Sequence, residues 1–212
     1  MTIYQLLFGV KKVTWREMRT VPNLLTLSRP VIFLPLVLVL HILGHDLWAM
    51  VGVIAGASTD YLDGWLARRG GGATAIGKYI DTAWDKLFYP PILCVLLLDL
   101  DRVQLSFSPE WFRNFLLIAL TVMLVFEFAL WLTRIMLMHE VVWYRRFCDC
   151  VSVAAKRPGK LKVWAQTFSA SFLLLGLGTG MDWPFWLGLF WFLTVIPLII
   201  WSFVSRHKWP DD

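Results

Sequence analysis

The sequence predicts an all-α integral membrane protein: six transmembrane helices, preceded by an amphipathic helix on the membrane interface. Three observations predict it. The 212 residues are 58% hydrophobic and only 17% charged, and the mean hydropathy is +0.63, too apolar for a soluble domain. Six segments approach the ~20 mostly apolar residues that a helix needs to cross a bilayer. The cations are sorted to one side of those segments, as the positive-inside rule requires.

Residues 1–20 come first. Ile3, Leu6, Leu7, Val10, Val13 and Met18 recur at helical spacing, with Lys11, Lys12, Arg16 and Arg19 between them. This pattern predicts a basic amphipathic helix lying on the cytosolic interface. The segment lacks the long apolar core of a secretory signal peptide. The spans follow at about 24–44, 47–69, 75–98, 111–138, 161–180 and 184–204. Gly44-His45-Asp46, Gly70-Gly71-Gly72, Ser106–Pro109 and Asp182-Trp183-Pro184 punctuate them. Residues 21–205 thus form one six-helix domain, and 206–212 a cytosolic tail.

Of the 20 Lys and Arg, all but Arg102 and Arg113 fall on the side that holds both termini, which places the termini in the cytosol. The net charge of +5 reads as loops facing anionic lipid, and no nucleic-acid partner is expected. Cys94, Cys148 and Cys150 have neither disulfide-framework nor metal-site spacing.

The stretch 60–87 breaks the apolar pattern. Asp60, Asp63, Gly64 and Ala67 share one face of the second span, with Arg68 one turn beyond Gly64. Gly77, Asp81 and Asp85 share one face of the third. Asp63 and Asp81 each lie nine residues from Gly72, and Asp60 and Asp85 twelve and thirteen. At 1.5 Å per residue, an antiparallel pair brings all four carboxylates to matched depth, on the order of 14–20 Å below the turn.

Four negative charges at that depth are costly, since one charged side chain at a bilayer centre costs roughly 2.5–3.5 kcal/mol on insertion scales. Two divalent cations would cancel them. Oxygen donors favour hard ions, Mg²⁺ or Mn²⁺. The resulting neutral site suits a ligand with its own negative charge, such as a diphosphate, which Arg68 could pair. Gly64, Ala67 and Gly77 leave room for a bulky group near the backbone. Helix pairing or a proton path are the usual roles of an isolated intramembrane Asp; four at matched depth fit them poorly. An ion or proton transporter is the rival from another class.

At these residues the sequence resembles the CDP-alcohol phosphotransferase family, whose signature D-x2-D-G-x2-A-R-x8-G-x3-D-x3-D is complete here: Asp60, Asp63, Gly64, Ala67, Arg68, Gly77, Asp81 and Asp85. The resemblance implies a six-helix membrane fold, a homodimer, a site open to the cytosol (a bacterial inner membrane being the expected setting) and two bound divalent ions. It implies that Asp60 and Asp81 bridge both ions, that Asp63 serves one and Asp85 the other, and that Asp85 is also the general base. Gly64, Ala67, Arg68, Thr74 and Gly77 would surround the CDP moiety of CDP-diacylglycerol. Asn23, Thr26 and Arg29 could line the same pocket from the first span, or simply cap that helix.

Two further stretches, VPNLLTLSRP at 21–30 and GKLKVWAQ at 159–166, resemble the glycerophosphate-using subgroup of that family and its cardiolipin-forming relatives. Val163, Thr82 and Trp84 depart from the subgroup's usual residues. The expected acceptor is sn-glycerol 3-phosphate; phosphatidylglycerol is the alternative. The phosphate of the former calls for a cationic pocket, with Arg134, Lys160 and Lys162 as candidates. Glu127, an intramembrane acid at similar depth, stands outside this core set.

Overall fold

The computed structural model describes residues 21–69, 87–99, 110–138 and 157–204, and every element in them is helical. They are α1 (Val21–Ser28), a π-helical turn (Arg29–Phe33), α2 (Leu34–Ile42), α3 (Asp46–Arg69), α4 (Tyr89–Leu98), α5 (Glu110–Met138), α6 (Arg157–Thr179) and α7 (Asp182–Val204). The interfacial helix expected over 1–20, the glycine turn, residues 139–156 and the tail lie outside the described residues.

The first span is one rod with a defect. Pro30 has no N–H to donate, so the ladder slips there, and the Leu34 N–H reaches back to the Arg29 carbonyl. That is the five-residue step of a π turn, a local feature often found at functional sites. The rod ends where Gly44, at φ +78°, lets the chain reverse. The Gly44 N–H donates to the His41 carbonyl at 2.9 Å and the His45 N–H to the Leu40 carbonyl at 2.8 Å, the paired bonds of a Schellman cap. Gly180 ends α6 in the left-handed region at φ +67°.

The third span departs from its expected continuity. α4 begins only at Tyr89, after Phe88 as N-cap. Pro90 and Pro91 supply no backbone donors, so they suit a first helical turn and not a helix interior.

Helices alternate in direction, and contacts between small residues and bulky neighbours set their register. Gly52 abuts Val37, and Gly56 abuts Phe88. Gly178 abuts Leu47, Gly176 abuts Phe185, and Gly188 abuts Leu173. Phe88, Ile92, Leu93, Leu173, Leu174 and Phe192 anchor the core among α3, α4, α6 and α7.

At the end formed by the α2–α3 turn, the buried His41 is held between two acids. Its Nδ1 lies 2.5 Å from Asp46 Oδ1. Its Nε2 lies 3.3 Å from Asp99 Oδ2, an ion-pair distance more than a directed hydrogen bond. The ring ties α2, α3 and the end of α4 together.

Among the described residues, three stretches are long and apolar enough to cross a membrane: Leu24–Ile42, Glu110–Thr133 and Asp182–Val204. Asp46–Thr59 and Tyr89–Leu98 are shorter apolar helices. Two of the other expected spans are polar at one end. α3 ends in a polar third containing Asp60, Asp63, Arg68 and Arg69, and α6 starts with Arg157, Lys160 and Lys162.

Candidate active site

α3 runs unbroken through Arg69, so Asp60, Asp63, Gly64, Ala67 and Arg68 lie on one continuous helix as expected. Their side chains are outside the described part of the structure. Thr74, Gly77, Asp81 and Asp85 lie outside the described residues altogether. Among the described residues, no three His, Cys, Asp or Glu side chains form a metal-binding group; none of the four expected carboxylate side chains is among them.

The described contacts show which parts of the chain stand level with the signature end of α3. A Cβ at Gly56 would sit 2.6 Å from Phe88 Cζ, so α3 and the chain entering α4 touch there. Gly56 and Phe88 are each sixteen residues from Gly72. The expected pairing of Asp63 with Asp81 itself lies outside the described residues. Asp60 is one turn beyond Gly56, and Asp85 precedes Phe88 by three residues.

The first span joins the same level. The contact of Gly52 with Val37 sets an antiparallel register between α2 and α3. Eight residues further, Arg29 stands level with Asp60; eleven further, Thr26 stands level with Asp63. Thr26 and Arg29 are 5% and 2% exposed, so both turn into the bundle, and Arg29 does so from the π turn. Asn23, on α1, shares their helical face; its side chain is not described.

α6 arrives at the same depth. The contact of Gly178 with Leu47 places Lys162 about level with Asp63, and Ala165 with Asp60. Lys162, Ala165, Gln166 and Ser169 form the buried face of α6. Lys160 sits on the opposite, exposed face, at the head of a stripe with Trp164 and Phe168. Residues two positions apart on a helix are separated by ~200°, so Lys160 and Lys162 cannot face the same pocket. The outward lysine above two aromatic rings has the character of an interfacial anchor.

Lys162 is 1% exposed, and its charge is met by Glu127. Nζ lies 2.7 Å from Glu127 Oε1 and 2.9 Å from Oε2. Gln166 Nε2 donates to Glu127 Oε1 at 2.7 Å. One residue on, Thr167 Oγ1, which donates to the Val163 carbonyl at 2.9 Å, is hydrogen-bonded to Tyr89 Oη at 2.8 Å, which ties α6 to the first turn of α4. Sequence reasoning left Glu127 outside the site and did not select Gln166, Thr167 or Tyr89. Gln166 does belong to the GKLKVWAQ stretch, whose second lysine and glutamine stand one helical turn apart, the spacing at which both can reach one carboxylate.

The described residues are all helical, include helices apolar enough to cross a membrane, and set α1 and α6 level with the signature end of α3. The family model for CDP-alcohol phosphatidyltransferase matches residues 19–208, and the chain belongs to that family. It is 30% identical to a CDP-diacylglycerol–glycerol-3-phosphate 3-phosphatidyltransferase of Bacillus subtilis (strain 168) over 176 residues, covering 74% of this chain and 78% of the relative. A protein of the same name from Rickettsia typhi is 30% identical over 164 residues, covering 75% and 78%. One from Aquifex aeolicus is 43% identical over 68 residues, covering 32% and 38%. No solved structure matches the chain significantly.

Proposed function

We propose that the protein transfers the phosphatidyl group of CDP-diacylglycerol to sn-glycerol 3-phosphate, giving phosphatidylglycerophosphate and CMP. The observation that carries this is the complete eight-position signature, with its first half on the unbroken α3. The relatives named for the same reaction support it.

In this reading all six helices cross the membrane, both termini and the site face the cytosol, and the chain works as a homodimer. The concentration of cations at one set of helix ends supports that orientation. Asp60, Asp63, Asp81 and Asp85 would hold two Mg²⁺ or Mn²⁺ ions. The all-carboxylate donor set and the Gly56–Phe88 register fit such a pair. When bound, the ions would neutralise the diphosphate and polarise the phosphorus under attack.

The residues of the chain do the rest. Gly64, Ala67 and Gly77 leave space for the nucleotide, and Arg68 and Thr74 hold its phosphates. Arg29, Thr26 and Asn23 close the pocket from the first span. A hydroxyl of glycerol 3-phosphate attacks the phosphorus that carries diacylglycerol, the P–O bond to CMP breaks, and Asp85 takes the hydroxyl proton. Among the three candidates for the acceptor's phosphate, Arg134 fits best. It continues the buried α5 stripe of Leu116, Leu120, Met123, Glu127 and Leu130 at helical spacing, whereas Lys160 faces outward and Lys162 is already paired.

The test is CMP release by the purified protein in lipid vesicles, with CDP-diacylglycerol, Mg²⁺ or Mn²⁺, and a panel of alcohols. Turnover with glycerol 3-phosphate is expected. Turnover with phosphatidylglycerol alone would move the assignment to cardiolipin formation, and ion flux without CMP release would discard the enzyme.

A further inference from the structure

The buried trio of Glu127, Lys162 and Gln166 has no part in the chemistry just described, yet it lies level with the aspartates. α5 packs on α4 and α7 more closely than on α6, so it is long side chains that bridge α5 and α6 here. Both carboxylate oxygens of Glu127 are engaged, by Lys162 at 2.7 and 2.9 Å and by Gln166 at 2.7 Å. All three residues are at most 4% exposed. A buried ion pair contributes little net stability against apolar packing, and its best-attested use is to fix register. The register in question is that of α5 against α6. Arg134 stands seven residues beyond Glu127, two turns along the same face of α5. From α6 the order continues to α4 through Thr167 and Tyr89 at 2.8 Å, just after Asp85 in the chain.

We infer that Glu127 is a positioning residue for the acceptor's phosphate: by clamping Lys162 and Gln166 it sets where Arg134 stands across from α6, and Lys162 serves this crossbar instead of binding the phosphate. The inference rests on the proposed reaction and on Arg134 as the phosphate's partner. A dianionic phosphate meets no net charge at the Lys162–Glu127 pair, because the carboxylate already cancels the ammonium. The cation that recognises it therefore stands elsewhere, and the crossbar decides where.

The experiment compares full-length Glu127→Gln, the reversed pair Glu127→Lys/Lys162→Glu, and Arg134→Met with the unaltered enzyme in vesicles. It reads kcat, both KM values and thermal unfolding. Glu127→Gln weakens the clamp and is expected to raise the KM for glycerol 3-phosphate by about 5- to 20-fold, with the KM for CDP-diacylglycerol unchanged within about 2-fold. The reversed pair rebuilds the crossbar and is expected to bring the acceptor KM back to within about 3-fold of the unaltered value.

A lower acceptor KM in Glu127→Gln would mean that the freed lysine binds the phosphate, and would overturn the inference. So would a reversed pair that folds and keeps its KM for CDP-diacylglycerol but not for the acceptor. If the reversed pair does not fold, the sign of the Glu127→Gln change decides alone, and an unchanged KM counts against the inference. Arg134→Met separates the two layers: an unchanged acceptor KM there removes Arg134 from the pocket, whatever the crossbar variants do.

Discussion

Gly56→Ala is the sharpest probe of how the fold positions the site. The added Cβ would lie 2.6 Å from Phe88 Cζ, 3.1 Å from Cε1 and 3.3 Å from Cε2. Carbon atoms rest at about 3.5–4.0 Å, so the contact is short by about 1 Å. Phe88 has no room to yield: it is 0% exposed, and its ring stands edge-on to Tyr89 with centroids 5.0 Å apart. The helix and the chain entering α4 must separate instead. Overpacking of this kind costs about 1–3 kcal/mol, and the better helix propensity of Ala returns up to about 1 kcal/mol. Net destabilisation should therefore lie between about 0 and 3 kcal/mol.

Activity should suffer more than stability. The wedge opens one turn from Asp60 and three residues from Asp85, and a displacement of about 1 Å in a catalytic constellation can cost ~10²-fold. A CMP-release assay in vesicles should show kcat down by about 10- to 100-fold in protein that still unfolds cooperatively. Phe88→Leu, added to Gly56→Ala, should recover part of the loss. Gly188→Ala is the control. Its Cβ would meet the Leu173 backbone nitrogen at 2.7 Å, farther from the aspartates, so it should lower stability without a selective loss of kcat. Normal turnover in folded Gly56→Ala, or no recovery with Phe88→Leu, would refute the proposal that this register brings the aspartates together.

His41→Leu removes the link between Asp46 and Asp99 and leaves Asp46, 6% exposed, without its imidazole. Stability should fall by about 3 kcal/mol in a denaturant titration, with both KM values retained because the link sits at the end away from the aspartates. Asp85→Asn should lower kcat by about 10²- to 10⁴-fold, the range expected for loss of a general base; near-normal turnover would end that role. Chelation of divalent ions should abolish CMP release, and Mg²⁺ or Mn²⁺ should restore it; activity in excess chelator would contradict the four-carboxylate metal site.

The helical class and the aspartate signature are legible in the sequence, because both depend on local periodicity. Asp60 and Asp63 share a face wherever a helix forms, and the equal distances from Gly72 are a property of the chain alone. The apolar runs likewise announce membrane helices before any contact is known. Which face of each helix turns inward is another matter. Lys160 and Lys162 read alike as cations near a helix end, and only the packing of α6 against α3 and α7 sends one outward and buries the other. The partners of Glu127 lie 35 and 39 residues away, and Tyr89 meets Thr167 across 78. No local pattern encodes such pairs. They exist because a buried charge or hydroxyl must find a partner in the same low-dielectric layer, and the tertiary structure alone decides which side chains share that layer.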